Sequence, residues 1–429
     1  MEATAKSLMD FIDASPGPYH AVENIISMLE AAGAQRLDER AGWNLEPGAL
    51  YYVSRAGTSI IAFRMGLQKP AEQGFLIAGA HTDSPALKVR PEKSLVSKGY
   101  VRLAVESYGA PILSGWLDRP LGIAGVLAYS NAGTIHTRLY ASHVPAAIIP
   151  NLAIHLNRDI NKGFEYNLHQ HMPPIIALAG ERNKPEAEVP PLLGRICEEL
   201  EIDPAKLISV DLRLYDPEPC RLVAEDIING PRLDDLAGCM AIAQAFSAAS
   251  ACAATQVACF FDAEEIGSMT LAGAQSSFLR DVLARILLAS RNAGQDYYQA
   301  LACSSCVSVD AAQALHPAYP DKFDEYYSPI LGAGIAVKMN ANMNYATDFG
   351  SIHIAVNAAQ HAGIEFQRYM ARADIQPGKT IGPITASRTG IATVDVGHPM
   401  LAMHAIRETI ASSDHRAMVR FLEAFFARA

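Results

Sequence analysis

No apolar run in the sequence approaches the roughly 20 residues that a helix needs to cross a bilayer, so no helical membrane span is expected. Positive charge is also in short supply. Against 45 Asp and Glu residues stand 35 Lys and Arg, leaving a net charge of -10. Such an acidic chain, with pI about 5.7, makes a poor general binder of nucleic acid or of a membrane surface. Cysteine is sparse and odd in number, seven in all, which does not read as a disulfide framework. Cys303-Ser-Ser-Cys306 has redox spacing, but it sits in an apolar stretch without thioredoxin-like surroundings and reads as buried thiols. The start, "MEATAKSLMDFIDASPG", lacks the basic and apolar regions of a secretion signal; it reads as an amphipathic helix closed by Ser15-Pro16. A soluble, cytoplasmic, thiol-reduced protein is expected. Internal repeats and low-complexity tracts are missing too.

What is present is a repeated strand pattern. "GFLIAGAHTDSP" (74–85) is a short apolar run ending in polar residues, as a buried parallel strand does where its C-terminal end opens to a site. "QVACFFDAEE", "CVSVDAA" and "IATVDVGHP" repeat it, and helical stretches such as "LAGCMAIAQAFSAAS" and "SIHIAVNAAQHAGI" lie between them. The expected fold is α/β: a mixed, largely parallel sheet with helices on both faces. Residues 93–226 read differently. "GVLAYSNAGTIHTRLYA" is two β-rich runs around a hairpin signal at Asn131-Ala-Gly133, and "HMPPIIALAGERNKPEAEVPPLLG" has the proline and charge of a loop. The expected organisation is one domain made of 1–92 and 227–429, interrupted by an inserted β-rich domain at 93–226.

Ligands of open α/β sheets sit beyond the carboxyl ends of the strands, and there the polar residues gather. His81 is followed two residues on by Asp83, which on a strand faces the same side and is suited to orient the imidazole. Asp234 opens a helix, Glu264 and Glu265 follow one strand, Asp310 follows another, and His404 lies in "LAMHAIRE". Two histidines with three or four carboxylates form a mixed N/O set suited to Zn²⁺ or Mn²⁺. Each residue alone has an ordinary structural role: a hydrogen-bonded histidine, a helix cap, a solvated turn. Their coincidence at strand ends is what points to a metal.

Eight stretches occur in one order across nearly the whole chain: "HTDSP", "WLDRPLG", "IPNLAIHLNR", "GPRLDDLAG", "FDAEEIGS", "HPAYPDK", "TIGPITASRTGIATVDVGHP" and "MHAIRE". Together they closely resemble the M18 family of aspartyl aminopeptidases, within the wider clan of dinuclear zinc aminopeptidases. The resemblance implies two Zn ions per subunit, with Mn or Co as substitutes. It puts His81, Asp310 and a shared Asp234 on one ion, and Glu265, His404 and the same Asp234 on the other. It makes Glu264 the general base, and Lys338, Tyr345 and Gly382 the substrate-binding positions. It also implies that His155, in the inserted domain, reaches a neighbouring subunit's active site.

The implied activity is removal of N-terminal Asp or Glu from peptides. The implied assembly is a tetrahedral homododecamer built through the inserted domain, with no nucleic-acid or membrane partner. Two other functions stay open at this stage: deacylation or amide hydrolysis of small molecules on the same metals, and a non-enzymatic assembly role with structural metals. Against the family pattern, Asp235 stands where Asn is usual, Gln313 and Ala318 replace a His and an Asn, and "NANMNYAT" replaces "NANQRYAT". His169 and His171 in "NLHQHMPP" have chelating spacing but read as a loop or interface pair.

Overall fold

The computed structural model describes residues 3–142, 144–180, 191–290 and 294–427. Residues 181–190 of the proline- and charge-rich stretch thus lie outside the described residues. The chain divides into two units, one of Met1–Asp83, Cys220–Met403 and Glu408–Ala429, the other of Ser84–Pro219 and His404–Arg407.

In the first unit the four apolar runs become neighbouring strands. Thr255–Phe261, Phe75–His81, Ser305–Val309 and Ala392–Gly397 run parallel and side by side in that order. Beyond Thr255–Phe261 the sheet continues through the antiparallel Ser59–Arg64 to Leu50–Arg55 and Gln35–Arg36. At the other edge Ala336–Lys338 pairs antiparallel with Ala392–Gly397 and parallel with Gln367–Tyr369. The sheet is therefore mixed with a parallel centre, as the alternation of strands and helices predicts.

Alternation along each strand splits the core in two. From Phe75–His81, Leu76, Ala78 and Ala80 join the larger cluster, while Phe75 and Ile77 join the smaller one on the opposite face. Ala258 and Phe260 likewise part from Val257, Cys259 and Phe261. Helices Leu233–Ala248 and Ser412–Phe426 cover the larger cluster, and Phe278–Ala289 covers the smaller. The N-terminal helix Ala3–Ala14 buries Ala5, Leu8, Phe11 and Ile12, a 3–4 residue spacing that makes one apolar stripe against the larger cluster.

The second unit is a closed β-barrel with its own core. Strand Leu207–Tyr215 pairs with Ala86–Ser97 on one side and with Pro120–Asn131 on the other, which closes the seven-stranded sheet on itself. The expected hairpin forms with Asn131 opposite Thr134. Ala132 and Gly133 make its two-residue turn, both with positive φ (49° and 80°), as the twist-matched turn of a tight hairpin requires.

Candidate metal centre

His81 is the last residue of its strand and is almost completely buried. Its Nε2 lies 3.5 Å from Asp234 Oδ1 and 3.8 Å from Asp310 Oδ1. Its Nδ1 faces the Asp83 backbone carbonyl at 3.0 Å, with Asp83 Oδ1 at 3.5 Å. The expected Asp83–His81 association is present, and the same carboxylate also accepts from two backbone amides. Asp83 Oδ1 accepts from the backbone N–H of Glu264, and Oδ2 from that of Glu265, both at 3.1 Å. One buried carboxylate thereby fixes the peptide units of two adjacent glutamates. Those glutamates leave the strand Thr255–Phe261 through left-handed Ala263 (φ 63°) and form a single 3₁₀ turn, Glu264–Ile266, closed by left-handed Gly267 (φ 97°).

Asp234 and Asp235 begin the helix Leu233–Ala248 with non-helical backbone angles. The Asp234 N–H donates to Glu408 Oε2 at 2.9 Å, and the His81 N–H donates to Asp235 Oδ2 at 3.3 Å. A side chain at Gly238 would start 2.4 Å from Asp235 Oδ1, so glycine leaves the room that this carboxylate occupies. Asp310 follows Ser305–Val309, its N–H donating to the Val396 carbonyl at 3.0 Å.

Ligand-type atoms converge in two groups, each within 4.8 Å: His81, Asp234 and Glu265; and Asp234, Asp235 and Asp310. Asp234 belongs to both, as a bridging ligand must. Such crowding of buried carboxylates is unfavourable without a cation, and the proton affinities register it. Burial, then the Asp310, Asp83 and Asp234 carboxylates, raise Glu264 to about 8. Burial, then Asp234, hold Glu265 well above the usual carboxylate range, and burial with Asp310 and Asp234 does the same for Asp235. At His81 burial works to lower the value, but the Asp234, Asp310 and Asp83 carboxylates outweigh it and hold it well above an ordinary imidazole. A field that favours a proton there favours a metal cation equally. Hard oxygen donors with one imidazole fit Zn²⁺ or Mn²⁺.

Asp310 alone moves the other way. Burial would raise it, yet the Lys338 ammonium and His81 bring it to about 2. Lys338 Nζ lies 3.4 Å from Asp310 Oδ2, donates to the Ala311 carbonyl at 3.1 Å, and stands 5.1 Å from the centre of the Tyr345 ring. Tyr345 and Lys338 are both buried. Gly382 is the second residue of helix Ile381–Thr389.

Two expected residues belong to the second unit. His404 has a left-handed backbone (φ 66°) and its Nδ1 lies 3.2 Å from the Ala110 carbonyl; among the described residues it is in neither converging group. His155 is exposed on the 3₁₀ turn Ile154–Leu156. His169 and His171, read from the sequence as a loop or interface pair, lie instead on the short helix Leu168–His171, where His171 Nδ1 accepts from the Asn167 N–H. Sequence reasoning missed Glu408, which holds the Asp234 amide, although it ends the quoted "MHAIRE". It also gave no role to Asp395, whose "TVDVG" repeats the apolar-Asp pattern of "SVDAA".

The family model of the aminopeptidase I zinc metalloproteases (M18) matches residues 11–426. The chain belongs to the M18 family and is a zinc-dependent metallo-aminopeptidase with a dinuclear metal centre. It is 39% identical over 429 residues to a probable M18 family aminopeptidase 2 of Ectopseudomonas mendocina, covering 99% of this chain and 98% of that protein. The corresponding protein of Stutzerimonas stutzeri is 40% identical over 428 residues, covering 99% and 98%. The cryo-EM structure of the Ape4 and Nbr1 complex contains a similar chain (TM-score 0.93, 35% identity, 99% of this chain and 85% of that one). The S. cerevesiae mApe1 dodecamer is also similar (TM-score 0.85, 28% identity, 99% and 96%). No helix among the described residues is long and apolar enough to cross a membrane.

Proposed function

We propose that this aminopeptidase removes N-terminal acidic residues, Asp or Glu, from peptides, with Glu264 as general base and His81, Asp234, Glu265, Asp310 and His404 as metal ligands. The observation that carries the reading is the division between adjacent glutamates. Glu265 converges with His81 and Asp234, whereas Glu264, its neighbour on the same turn, belongs to neither converging group. A carboxylate beside, but not among, the ligands is what a general base for peptide hydrolysis needs. These side chains would hold two Zn ions, which when bound would supply Lewis acidity and lower the pKa of water. Glu264 takes the proton from the attacking water and returns it to the departing amine. Asp83 keeps the two glutamates on their separate tasks by holding both backbone amides. His404 is included as a ligand on the family resemblance alone.

Lys338 and Tyr345 are proposed to receive the acidic side chain of the substrate. An overall net charge of -10 cannot attract such a substrate from afar, so a local cation has to do so. His155 is proposed to act on a neighbouring subunit's substrate. Its exposure, beside exposed Leu152, Ile154 and Leu156, and the likeness to the mApe1 dodecamer support self-association through this unit, with a tetrahedral homododecamer as the proposed form. The test is a panel of N-terminal Asp, Glu, Leu and Lys substrates, assayed after metal removal and after readdition of Zn, Mn or Co. Activity should need metal and kcat/KM should be highest for Asp or Glu. A panel led by Leu or Lys would overturn the acidic preference.

A further inference from the structure

Asp395 is in neither converging group, yet its carboxylate is completely buried on an interior strand of the sheet. Its strand sets it opposite Lys338 on one side and Ser308 on the other. Besides Ser308 on the neighbouring strand, its hydrogen bonds reach two segments that carry proposed substrate-binding residues. Oδ2 accepts the N–H of Ala346, the residue after Tyr345. The Asp395 N–H donates to Thr347 Oγ1 at 2.9 Å, fastening the same loop a second time. Oδ1 accepts from the Thr380 hydroxyl at 2.7 Å.

Thr380 caps helix Ile381–Thr389, and its oxygen accepts from the Gly382 N–H at 3.3 Å. A carboxylate can only accept, so the threonine proton is committed to Asp395 and its lone pairs are left for Gly382. Gly382 itself fits against the carboxylate: a β-carbon there would lie 2.3 and 2.6 Å from the two Asp395 oxygens. The position of the Asp395 carboxylate thus requires glycine at 382.

We infer that Asp395 is a positioning residue that joins the Tyr345 loop, the Gly382 helix start and the Lys338 strand into one substrate-recognition pocket. The inference rests on the proposal that Lys338, Tyr345 and Gly382 bind substrate. Without the carboxylate, Ala346 and Thr380 lose the buried acceptor they share, and with it the tie it makes between their two segments. Neither bond involves a metal ligand, so the centre should keep its ions.

The test is Asp395→Ala beside Thr380→Val, which removes the relay hydroxyl with little change of shape, and Thr380→Ser, which keeps it. For each variant, KM and kcat are measured on the substrate the parent prefers and on the one it handles worst, with bound metal counted. Asp395→Ala and Thr380→Val should each lower the preferred-to-poor ratio of kcat/KM by about 10-fold or more, mainly through KM, because a lost buried hydrogen bond is worth about that factor. Metal content should be unchanged, and Thr380→Ser should restore most of the ratio. If Asp395→Ala does not fold, the Thr380 pair decides alone. A ratio unchanged in Thr380→Val, or equally lowered in Thr380→Ser, overturns the inference and leaves Asp395 a support of the fold. The parent's own ranking of Asp and Glu against Leu tests the proposed function separately.

Discussion

Lys338 brings the residue scale into focus, because its ammonium has two claims on it. It sits 3.4 Å from Asp310 Oδ2 in a fully buried position, and the pair answers the cost of burying either charge alone. The family resemblance gives it a substrate carboxylate as well. Lys338→Met separates the two claims. If the ammonium meets the substrate, kcat/KM for Asp and Glu substrates should fall by about 10- to 100-fold, the worth of a charge-assisted bond, while Leu substrates lose little. Loss of metal together with equal loss on all substrates would instead give Lys338 to Asp310 alone. Members of the converging groups were legible at this scale because His81, Asp310 and Glu265 stand at or just beyond the ends of apolar runs. The pairing of Lys338 with Asp310 was not, since it depends on the antiparallel register of Ala336–Lys338 against Ala392–Gly397. The work of Asp83 was similarly hidden: its spacing from His81 suggested one partner, and the carboxylate reaches across to residues 181 and 182 positions away.

At the scale of elements, the central strands were the easiest to read, since strands buried on both faces need a continuous apolar run and Phe75–His81 is buried throughout. Strands such as Ala147–Ile148 and Pro399–Leu401 are too short to carry any period, and only their partners define them. Two histidines beside the last of these were not singled out at all. His398 precedes the strand Pro399–Leu401 and His415 follows Glu408–Ala411, its antiparallel partner. The two rings stack at 5.3 Å, fully buried, with 3.2 Å between His398 Nε2 and His415 Nδ1.

Burial lowers His398 from the ordinary 6.5 to about 4, and burial with the neighbouring His398 lowers His415 well below its usual value. In the unfolded chain both imidazoles take up protons near pH 6.5, whereas the folded pair stays neutral down to about 4. The unfolded state therefore binds more protons in that window, and stability falls as pH drops through it. The His398 contribution is on the order of 3 kcal/mol. A His398→Leu/His415→Leu variant should show a flatter decline of Tm between pH 6.5 and 4 than the parent. Parallel declines would mean that the pair is not buried as neutral rings.

At the scale of the whole molecule, a change in sequence texture was visible where the barrel interrupts the catalytic unit, from long apolar runs to hairpin signals and proline. The return of residues 404–407 to the second unit was not visible, because four residues carry no texture of their own. That excursion bears His404, and only tertiary structure defines it.

The account depends most on the separate duties of two adjacent carboxylates, and metal content measured together with turnover in Glu264→Gln tests it directly. With Glu264 as base and not ligand, the variant should bind as much metal as the parent while kcat falls by about 10²- to 10⁴-fold. Glu265→Gln, measured beside it, should lose metal. A Glu264→Gln protein that loses metal yet keeps substantial turnover per bound ion would contradict the assignment and exchange the two roles.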